Sequence, residues 1–163
     1  MNQRRYEDII RMHKDTIYRV CLGYIYEADL VEDLFQEVLI ALWKSLSTFR
    51  GEARLSTFIY RVTVNTAISF NRKLKKHHWE NRLEHSPVVY DSPADEITNK
   101  EELELLRSCI RRLEDQDRLI ITLHLEELSY KEIADIAGIS VNYVGVKINR
   151  IKATLKQCIQ DNE

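Results

Sequence analysis

The sequence predicts an all-α protein built from two small helical domains. Apolar residues recur along most of the chain at spacings of three and four residues, which is the period of an amphipathic helix. No segment shows the apolar–polar alternation of an exposed strand. Both prolines, Pro87 and Pro93, fall in residues 80–95, a segment without a steady period. This segment predicts a flexible linker between a domain at residues 1–79 and a domain at residues 96–163.

The composition is that of a soluble globular protein, since 31% of the 163 residues are charged and 44% are apolar. The apolar runs are too short to cross a membrane, so we expect no membrane insertion. The first fifteen residues lack the apolar stretch of a signal peptide, and we expect a cytoplasmic location. Cys21, Cys109 and Cys158 are odd in number and far apart. We therefore interpret them as reduced, half-buried packing residues.

Charge is distributed unevenly, although the formal net charge is only −2. Residues 53–79 contain six arginines and lysines and no acid, whereas residues 80–104 contain eight acids and two basic residues. Residues 138–160 are again free of acids. Two basic surfaces separated by an acidic segment predict two places that contact phosphate groups.

A first helix is predicted over residues 6–26, and a capping box of Asp29 and Glu32 predicts a second helix to about residue 46. One face of the second helix is apolar. The opposite face carries Glu32, Asp33, Gln36, Glu37, Ile40 and Trp43. An isoleucine and a tryptophan among carboxylates are typical of a protein-docking surface. The alternative is a solvated face with scattered apolar residues.

A loop at residues 47–54 leads to a third helix at residues 55–76, which carries a polar and basic stripe. The residues of the stripe are Arg61, Asn65, Ser69, Arg72 and Lys76, with Lys73 beside them, and the predicted packing face is Phe58, Ile59, Val62 and Thr66. The loop adds Phe49, Arg50 and Arg54. Arginines contact phosphates, asparagine pairs with base edges, and an aromatic ring stacks on bases. The alternative is a solvated helix face with Phe49 in the core.

After the linker, helices are predicted at residues 95–113 and 116–127, followed by a helix-turn-helix at residues 128–155. Ser129 and Glu132 form a capping box, and Gly138 stands where a helix ends in a left-handed residue. Ser140 caps the next helix, whose apolar stripe is Val144, Ile148, Ile151 and Leu155. Its other side carries Asn142, Tyr143, Val146, Lys147 and Arg150. This pattern predicts a DNA-reading helix; the alternative is an ordinary helical hairpin.

Three segments together resemble a bacterial RNA polymerase sigma factor of the extracytoplasmic-function (ECF) group. They are VEDLFQEVLIALWKSL, TFRGEARLSTFIYRVTVNTAISFNRK and LEDQDRLIITLHLEELSYKEIADIAGIS, which occur in the family's order and spacing. The resemblance covers nearly the whole chain except the linker. It implies that the first domain is a region 2 helical bundle and that the second is a region 4 helix-turn-helix.

The resemblance also implies three partners: core RNA polymerase, promoter DNA and a regulator, an anti-sigma factor. The polymerase contacts are the β′ clamp coiled coil and the β flap. Asp33, Gln36 and Glu37 match the clamp-binding motif, to which the helical projection adds Ile40 and Trp43. The residues expected at the −10 element are Phe49, Arg50, Arg54, Arg61, Asn65, Ser69, Arg72, Lys73 and Lys76. The residues expected at the −35 element are Ser140, Asn142, Tyr143, Val146, Lys147 and Arg150.

The sequence departs from the family pattern at a few positions. Gly145 and Val146 stand where many relatives carry a basic residue and a serine. Ser69 replaces a frequent aspartate, and Glu114 replaces a frequent proline. These departures concern the promoter sequence and not the class of protein.

Two other functions are compatible with parts of the sequence. An autonomous helix-turn-helix regulator would use the second domain and leave the Trp43 face without a role. A metalloenzyme would need Glu32, Asp33 and Glu37 as ligands, joined by His77 with His78, but no Glu-x-x-His pair or nucleophile motif accompanies them. We therefore expect no catalytic activity, no metal and no cofactor.

Overall fold

The computed structural model describes residues 2–25, 27–80 and 100–162, which form helices and no strands. The helices are α1 (Gln3–Leu22), α2 (Ala28–Leu46), α3 (Leu55–Glu80), α4 (Lys100–Arg111), α5 (Asp115–Leu125), α6 (Tyr130–Ala137) and α7 (Val141–Gln160). The chain divides into two compact units, Met1–Val88 and Val89–Glu163. The predicted class, all-α in two small helical domains, is confirmed. No helix in the described ranges could span a membrane.

The first unit is a bundle in which α1, α2 and α3 pack against one another. Its most deeply buried side chains are Ile17, Val20, Cys21, Val31, Leu34, Val38, Leu42, Ile59, Val64 and Ala67. The first helix begins at Gln3, three residues before its predicted start, because the side chain of Asn2 caps it by accepting a hydrogen bond from the Arg4 backbone N–H at 3.0 Å. It ends at Leu22, before its predicted end at residue 26.

The predicted capping box at Asp29 is wrong. Helix α2 already begins at Ala28, with Glu27 in the cap position and no side-chain cap hydrogen bond. Asp29 therefore lies inside the first turn. Its carboxylate is favourable there for a different reason, because it lies beside the partial positive charge of the helix N-terminus.

Helix α3 extends to Glu80, beyond its predicted end at residue 76 and into the first residue of the predicted linker. The remainder of that linker, residues 81–95, lies outside the described residues. Of the predicted packing face only Ile59 is fully buried, and Thr63, Val64 and Ala67 complete the buried side. The Thr63 hydroxyl can be buried because it donates a hydrogen bond to the Ile59 carbonyl at 2.8 Å.

The second unit contains α4 to α7, with α7 packed against the other three helices. Its most deeply buried side chains are Cys109, Ile120, Ile121, Leu123, Ile133, Val144, Ile148 and Ile151. The predicted start of α4 at residue 95 lies outside the described residues. Helix α5 runs from Asp115 to Leu125, within two residues of its predicted bounds.

Arg118 is a buried charge at the junction of α4 and α5, with 4% of its side chain exposed. Its guanidinium donates hydrogen bonds to three carbonyls at and just beyond the end of α4, those of Ile110, Arg111 and Leu113. The last carbonyls of a helix have no partners within the helix. Arg118 supplies those partners and joins the end of α4 to the start of α5.

The helix-turn-helix is confirmed in its local details. The Ser129 side chain and the Glu132 side chain form the reciprocal capping box, and α6 begins at Tyr130 as predicted. Gly138 adopts a left-handed conformation (φ 69°) and ends α6. Ser140 caps α7 by accepting a hydrogen bond from the Tyr143 backbone N–H at 3.2 Å.

The interpretation of the cysteines as reduced is wrong for two of the three. Cys109 of α4 and Cys158 of α7 form a disulfide, with Cα atoms 6.0 Å apart. Cys21 is free and fully buried, and burial raises the pKa of its thiol to about 12. The sequence gives no sign of the pairing because the two half-cystines are 49 residues apart and meet only when α7 packs on α4.

Two glycines of the second unit should respond oppositely to alanine. Gly138→Ala should lower the free energy of unfolding by about 1 kcal/mol, because an L side chain is disfavoured in the left-handed conformation. Gly145→Ala should raise it by about 0.5–1 kcal/mol, because an alanine is the better residue inside a helix. The new methyl group would lie 3.5 Å from the Tyr130 ring, an ordinary contact. Urea unfolding followed by far-UV circular dichroism measures both changes. If both substitutions changed the free energy of unfolding in the same direction, the backbone conformations given for the two glycines would be contradicted.

Candidate functional site

Helix α7 presents an exposed face without acidic side chains. The predicted DNA-reading residues Ser140, Asn142, Tyr143, Val146 and Arg150 are all exposed on it. Tyr143 is 41% exposed and Val146 46%. The face therefore offers an amide, a phenol, a guanidinium and an apolar surface, which are groups that contact base edges and phosphates in the major groove.

Lys147 differs from the other predicted reading residues. Its ammonium donates a hydrogen bond to Asp117 of α5 at 2.6 Å, and only 16% of its side chain is exposed. The hydrogen bond from Lys147 to Asp117 raises the pKa of the ammonium. Lys147 follows the buried Val144 by three residues and precedes the buried Ile151 by four. It therefore lies at the edge of the packing stripe and not at the centre of the exposed face.

Sequence reasoning missed Asn149, which is exposed in the middle of the same face. Asn149 follows Asn142 by seven residues and Val146 by three, so the three side chains share one side of the helix. The spacing alone is enough to include it. Its amide adds a second group of the kind that pairs with base edges.

The outer face of α2 is exposed as predicted. Asp33, Gln36 and Glu37 are exposed, Ile40 is 50% exposed and Trp43 is 44% exposed. Residues at intervening positions, Leu34, Val38 and Leu42 among them, are fully buried. Ile40 and Trp43 point to solvent because the opposite side of α2 packs in the core.

Tyr6 of α1 supports this face, and sequence reasoning did not find it. Its hydroxyl donates a hydrogen bond to the Leu39 carbonyl at 2.7 Å, and its ring meets the Trp43 ring edge-on with centroids 4.9 Å apart. Tyr6 and Leu39 are 33 residues apart, so no periodic pattern connects them. The contact limits the orientations open to the exposed tryptophan.

The polar and basic stripe of α3 is largely exposed. Asn65, Ser69, Arg72, Lys73 and Lys76 are exposed, as are Arg50 and Arg54 of the preceding loop, while Arg61 is half-buried. No acidic residue interrupts the stripe on its own helix before Glu80. The surface has the charge and the hydrogen-bonding groups needed to follow a nucleic-acid backbone.

Phe49 is neither a free stacking platform nor a core residue. It is half-buried, and its ring packs on Phe58 of α3 with centroids 4.6 Å apart. Phe58 precedes Arg61 by three residues, so the ring pair lies at the start of the stripe. Phe58, predicted to be a packing residue, therefore contributes to an aromatic surface that joins the loop to α3.

A surface depression of 280 Å³ connects the two predicted surfaces of the first unit. It is lined by Glu37, Asn65, Thr66, Ser69, Phe70 and Lys73. Glu37 belongs to the outer face of α2, whereas Asn65, Ser69 and Lys73 belong to the stripe of α3. The predicted polymerase-binding face and the predicted −10 surface therefore border the same depression.

The proposed metal ligands do not converge within the described residues, where no group of three or more His, Cys, Asp or Glu side chains could hold an ion. Glu32, Asp33 and Glu37 point outwards on α2, and His77 is exposed near the end of α3. The side chain of His78 lies outside the described residues.

Most of the chain matches two known family models. The model of Sigma-70 region 2 matches residues 9–77, and the model of Sigma-70, region 4 matches residues 103–155. The ECF RNA polymerase sigma factor SigW of Bacillus subtilis (strain 168) is 30% identical, over 98% of this chain and 91% of that protein. The chain therefore belongs to the sigma-70 family, within its ECF group.

Two solved structures share the fold. CnrH, in complex with the cytosolic domain of CnrY, matches with a TM-score of 0.73 at 20% identity, over 99% of this chain and 92% of that one. The sigma factor RpoE of Bartonella quintana, in complex with the anti-sigma factor NepR, matches with a TM-score of 0.77 at 18% identity, over 98% of this chain and 99% of that one. Together with the family matches, these findings identify a promoter-recognising sigma factor of transcription initiation.

Proposed function

We propose that three surfaces of this chain perform the three binding functions of a sigma factor. The outer face of α2 (Asp33, Gln36, Glu37, Ile40 and Trp43) docks on the β′ clamp coiled coil of core polymerase. The loop and α3 hold the melted strand of the −10 element. The exposed face of α7 reads the −35 element as duplex. The segment between the units lets docking on polymerase set the distance between the two DNA-binding surfaces.

The observation that carries this proposal is the exposed Trp43, with Ile40 beside it, among the acids of α2. Tryptophan is enriched among the residues that dominate binding energy in protein interfaces. An autonomous helix-turn-helix regulator would contact DNA through the second unit alone. Such a regulator would not require an exposed, ordered tryptophan on the first unit.

At the −10 element, the first unit must take a base out of the stack, which costs about a few kcal/mol. The ring pair of Phe49 and Phe58 offers an apolar surface for an unstacked base. Arg50 and Arg54, in the same loop as Phe49, would contact phosphates beside that base, and Arg72 would contact a phosphate further along the strand. Polymerase contacts and phosphate contacts together offset the cost of unstacking.

At the −35 element, α7 enters the major groove, where the pattern of donors and acceptors distinguishes all four base pairs. Asn142 and Asn149 can each make two hydrogen bonds to one base, and Arg150 is long enough to reach a guanine or a phosphate. Val146 is suited to the methyl group of thymine. These four residues, with Tyr143 at the edge, form the reading face.

The second unit also has an apolar groove that suits the β flap. The groove has a volume of 620 Å³ and lies between α4, α5 and α7. It is lined by Leu106, Ile121, His124, Leu125, Lys152, Leu155, Lys156, Ile159 and Gln160. Leu125 is 52% exposed at its edge. A groove of this composition accepts the apolar face of a helix.

We further propose that an anti-sigma factor controls this chain, because the RpoE structure that shares its fold is a complex with the anti-sigma factor NepR. The polymerase performs the chemistry of transcription, so the chain itself needs no catalytic group. Its place of action is the cytoplasm, where the polymerase and the promoters are found.

In vitro transcription with purified core polymerase on a pool of promoters tests the proposal. Specific transcripts should start only when this protein is added. A gel-shift assay provides the contrasting result, because an autonomous regulator binds duplex DNA tightly without polymerase. Tight, sequence-specific binding by the chain alone, with no transcripts in the presence of core, would overturn the proposal in favour of such a regulator.

A further inference from the structure

Lys147 of α7 forms an ion pair with Asp117 of α5, so its side chain is tied to another helix. We infer that Lys147 is a positioning residue and not a DNA contact: its ion pair with Asp117 sets α7 against α5 and keeps the ammonium away from DNA phosphates. Asp117 thereby becomes a residue that limits non-specific binding. This inference rests on the proposed role of α7 in reading the −35 element.

The geometry of the pair supports this role. The Lys147 Nζ lies 2.6 Å from the Asp117 Oδ1, and the two side chains are 16% and 25% exposed. Asp117 belongs to the first turn of α5, 30 residues earlier in the chain. The pair therefore links α5 and α7 in addition to the packing contacts between them. A charged hydrogen bond between them fixes the position of α7 along α5.

The ammonium also faces the ring of Tyr143, at 5.8 Å from its centroid. Tyr143 lies one helical turn before Lys147 and is part of the reading face. A cation at this distance attracts the ring face electrostatically. Lys147 thus orients a reading residue while its own charge is satisfied by Asp117.

Swinging Lys147 out to a phosphate would have two unfavourable consequences. It would remove the partner of the Asp117 carboxylate, and it would leave that negative charge close to the DNA backbone. Arg150 has neither restriction, since it lies on the exposed side of α7. The two basic residues, three positions apart, therefore have different functions.

The salt dependence of DNA binding distinguishes these functions, because each lysine or arginine that contacts a phosphate adds about 1 to the slope of log K against log salt. The full chain bound to core polymerase is titrated with the promoter fragment that gives the strongest transcript, and with a duplex of the same length whose −35 sequence is scrambled. The variants are Lys147→Gln, Asp117→Asn, the double variant, and Arg150→Gln as the matched control on the same helix.

Lys147→Gln should leave the slope unchanged, whereas Arg150→Gln should decrease its magnitude by about 1. Asp117→Asn should increase the magnitude of the slope by about 1 on both duplexes, because the released Lys147 ammonium then reaches a phosphate. It should therefore also lower the preference for the promoter over the scrambled duplex. The double variant should return to the parent slope. If the Lys147–Asp117 pair had only a structural role, Asp117→Asn would not increase the magnitude of the slope.

Two results would overturn the inference: a decrease of about 1 with Lys147→Gln, or no increase with Asp117→Asn. If Arg150→Gln has no effect on the slope, the proposed reading face itself has failed. In that case urea unfolding without DNA still tests whether the pair positions α7. The chains compared are the parent, Lys147→Gln, Asp117→Asn and the double variant. A pair that fixes α7 requires the double variant to be no less stable than either single variant, and additive losses would contradict it.

Discussion

Reducing the Cys109–Cys158 disulfide should lower the free energy of unfolding of the second unit by about 4 kcal/mol, from the entropy of a closed loop of this length. The bond joins α4 to α7 across 49 residues of sequence, which is most of the described part of that unit. Opening it frees the unfolded chain without removing the apolar contacts of the core. We therefore expect a folded but much less stable unit under reducing conditions.

Hydrogen exchange resolved by peptide should measure this change, since it reports on residues 100–162 separately from the first unit. Tryptophan fluorescence would miss it, because Trp43 and Trp79 both precede residue 89. Cys158→Ser should reproduce the reduced protein and no longer respond to reductant. Cys21→Ala is the control, since that buried thiol, whose pKa is raised to about 12, should not contribute to the response. Equal protection with and without reductant would contradict the prediction.

The double variant Trp43→Ala with Gln36→Ala should weaken binding to core polymerase by about 100-fold, since interface tryptophans commonly contribute 2 kcal/mol or more. Trp43 is held by the Tyr6 ring and Ile40 lies one turn before it, so truncation removes an ordered apolar anchor. Gln36 adds a hydrogen-bonding group on the same face. The buried side of α2 is unchanged, and the first unit should remain folded.

Competition with a labelled parent chain for core polymerase gives the affinity ratio. Met12→Ala provides a matched control, because Met12 is a large apolar residue of the same unit, is 78% exposed, and lies on α1 outside the proposed interface. It should bind core as the parent does. If the double variant also binds as the parent does, the outer face of α2 is not the polymerase-binding surface.

The features predicted correctly from sequence are those determined by neighbouring residues. The capping box of Ser129 and Glu132, the left-handed Gly138 and the cap at Ser140 each depend on side chains within four positions of the backbone groups they satisfy. The apolar stripe of α7 is likewise set by helical spacing. Together these signals were enough to define the helix-turn-helix and its exposed face.

Apart from Asn149, which helical spacing alone places on the exposed face, the features that were missed depend on residues far apart in sequence. Tyr6 with Leu39 and Asp117 with Lys147 are pairs whose members meet only after helices pack. The same is true of the disulfide. The error at Asp29 has a different origin: the residue is favourable both as a cap and in the first turn, so its identity does not determine where the helix begins.

The packing face of α3 shows how a local pattern can mislead. Phe58 looked like a core residue because it is aromatic and follows the helical period. In the fold it is half-buried against Phe49 of the loop, and Thr63 takes an inward position because its hydroxyl bonds to its own helix. Size and polarity alone could not reveal either arrangement.

The hydrogen bonds that Arg118 donates to the carbonyls around the end of α4 do not depend on pH. A guanidinium remains protonated at every pH at which proteins stay folded, and its planar fork can serve several acceptors at once. Histidine would release those carbonyls near neutrality, and lysine has no fork to span them. The first described helix of the second unit is therefore anchored in the same way in acidic and in alkaline surroundings.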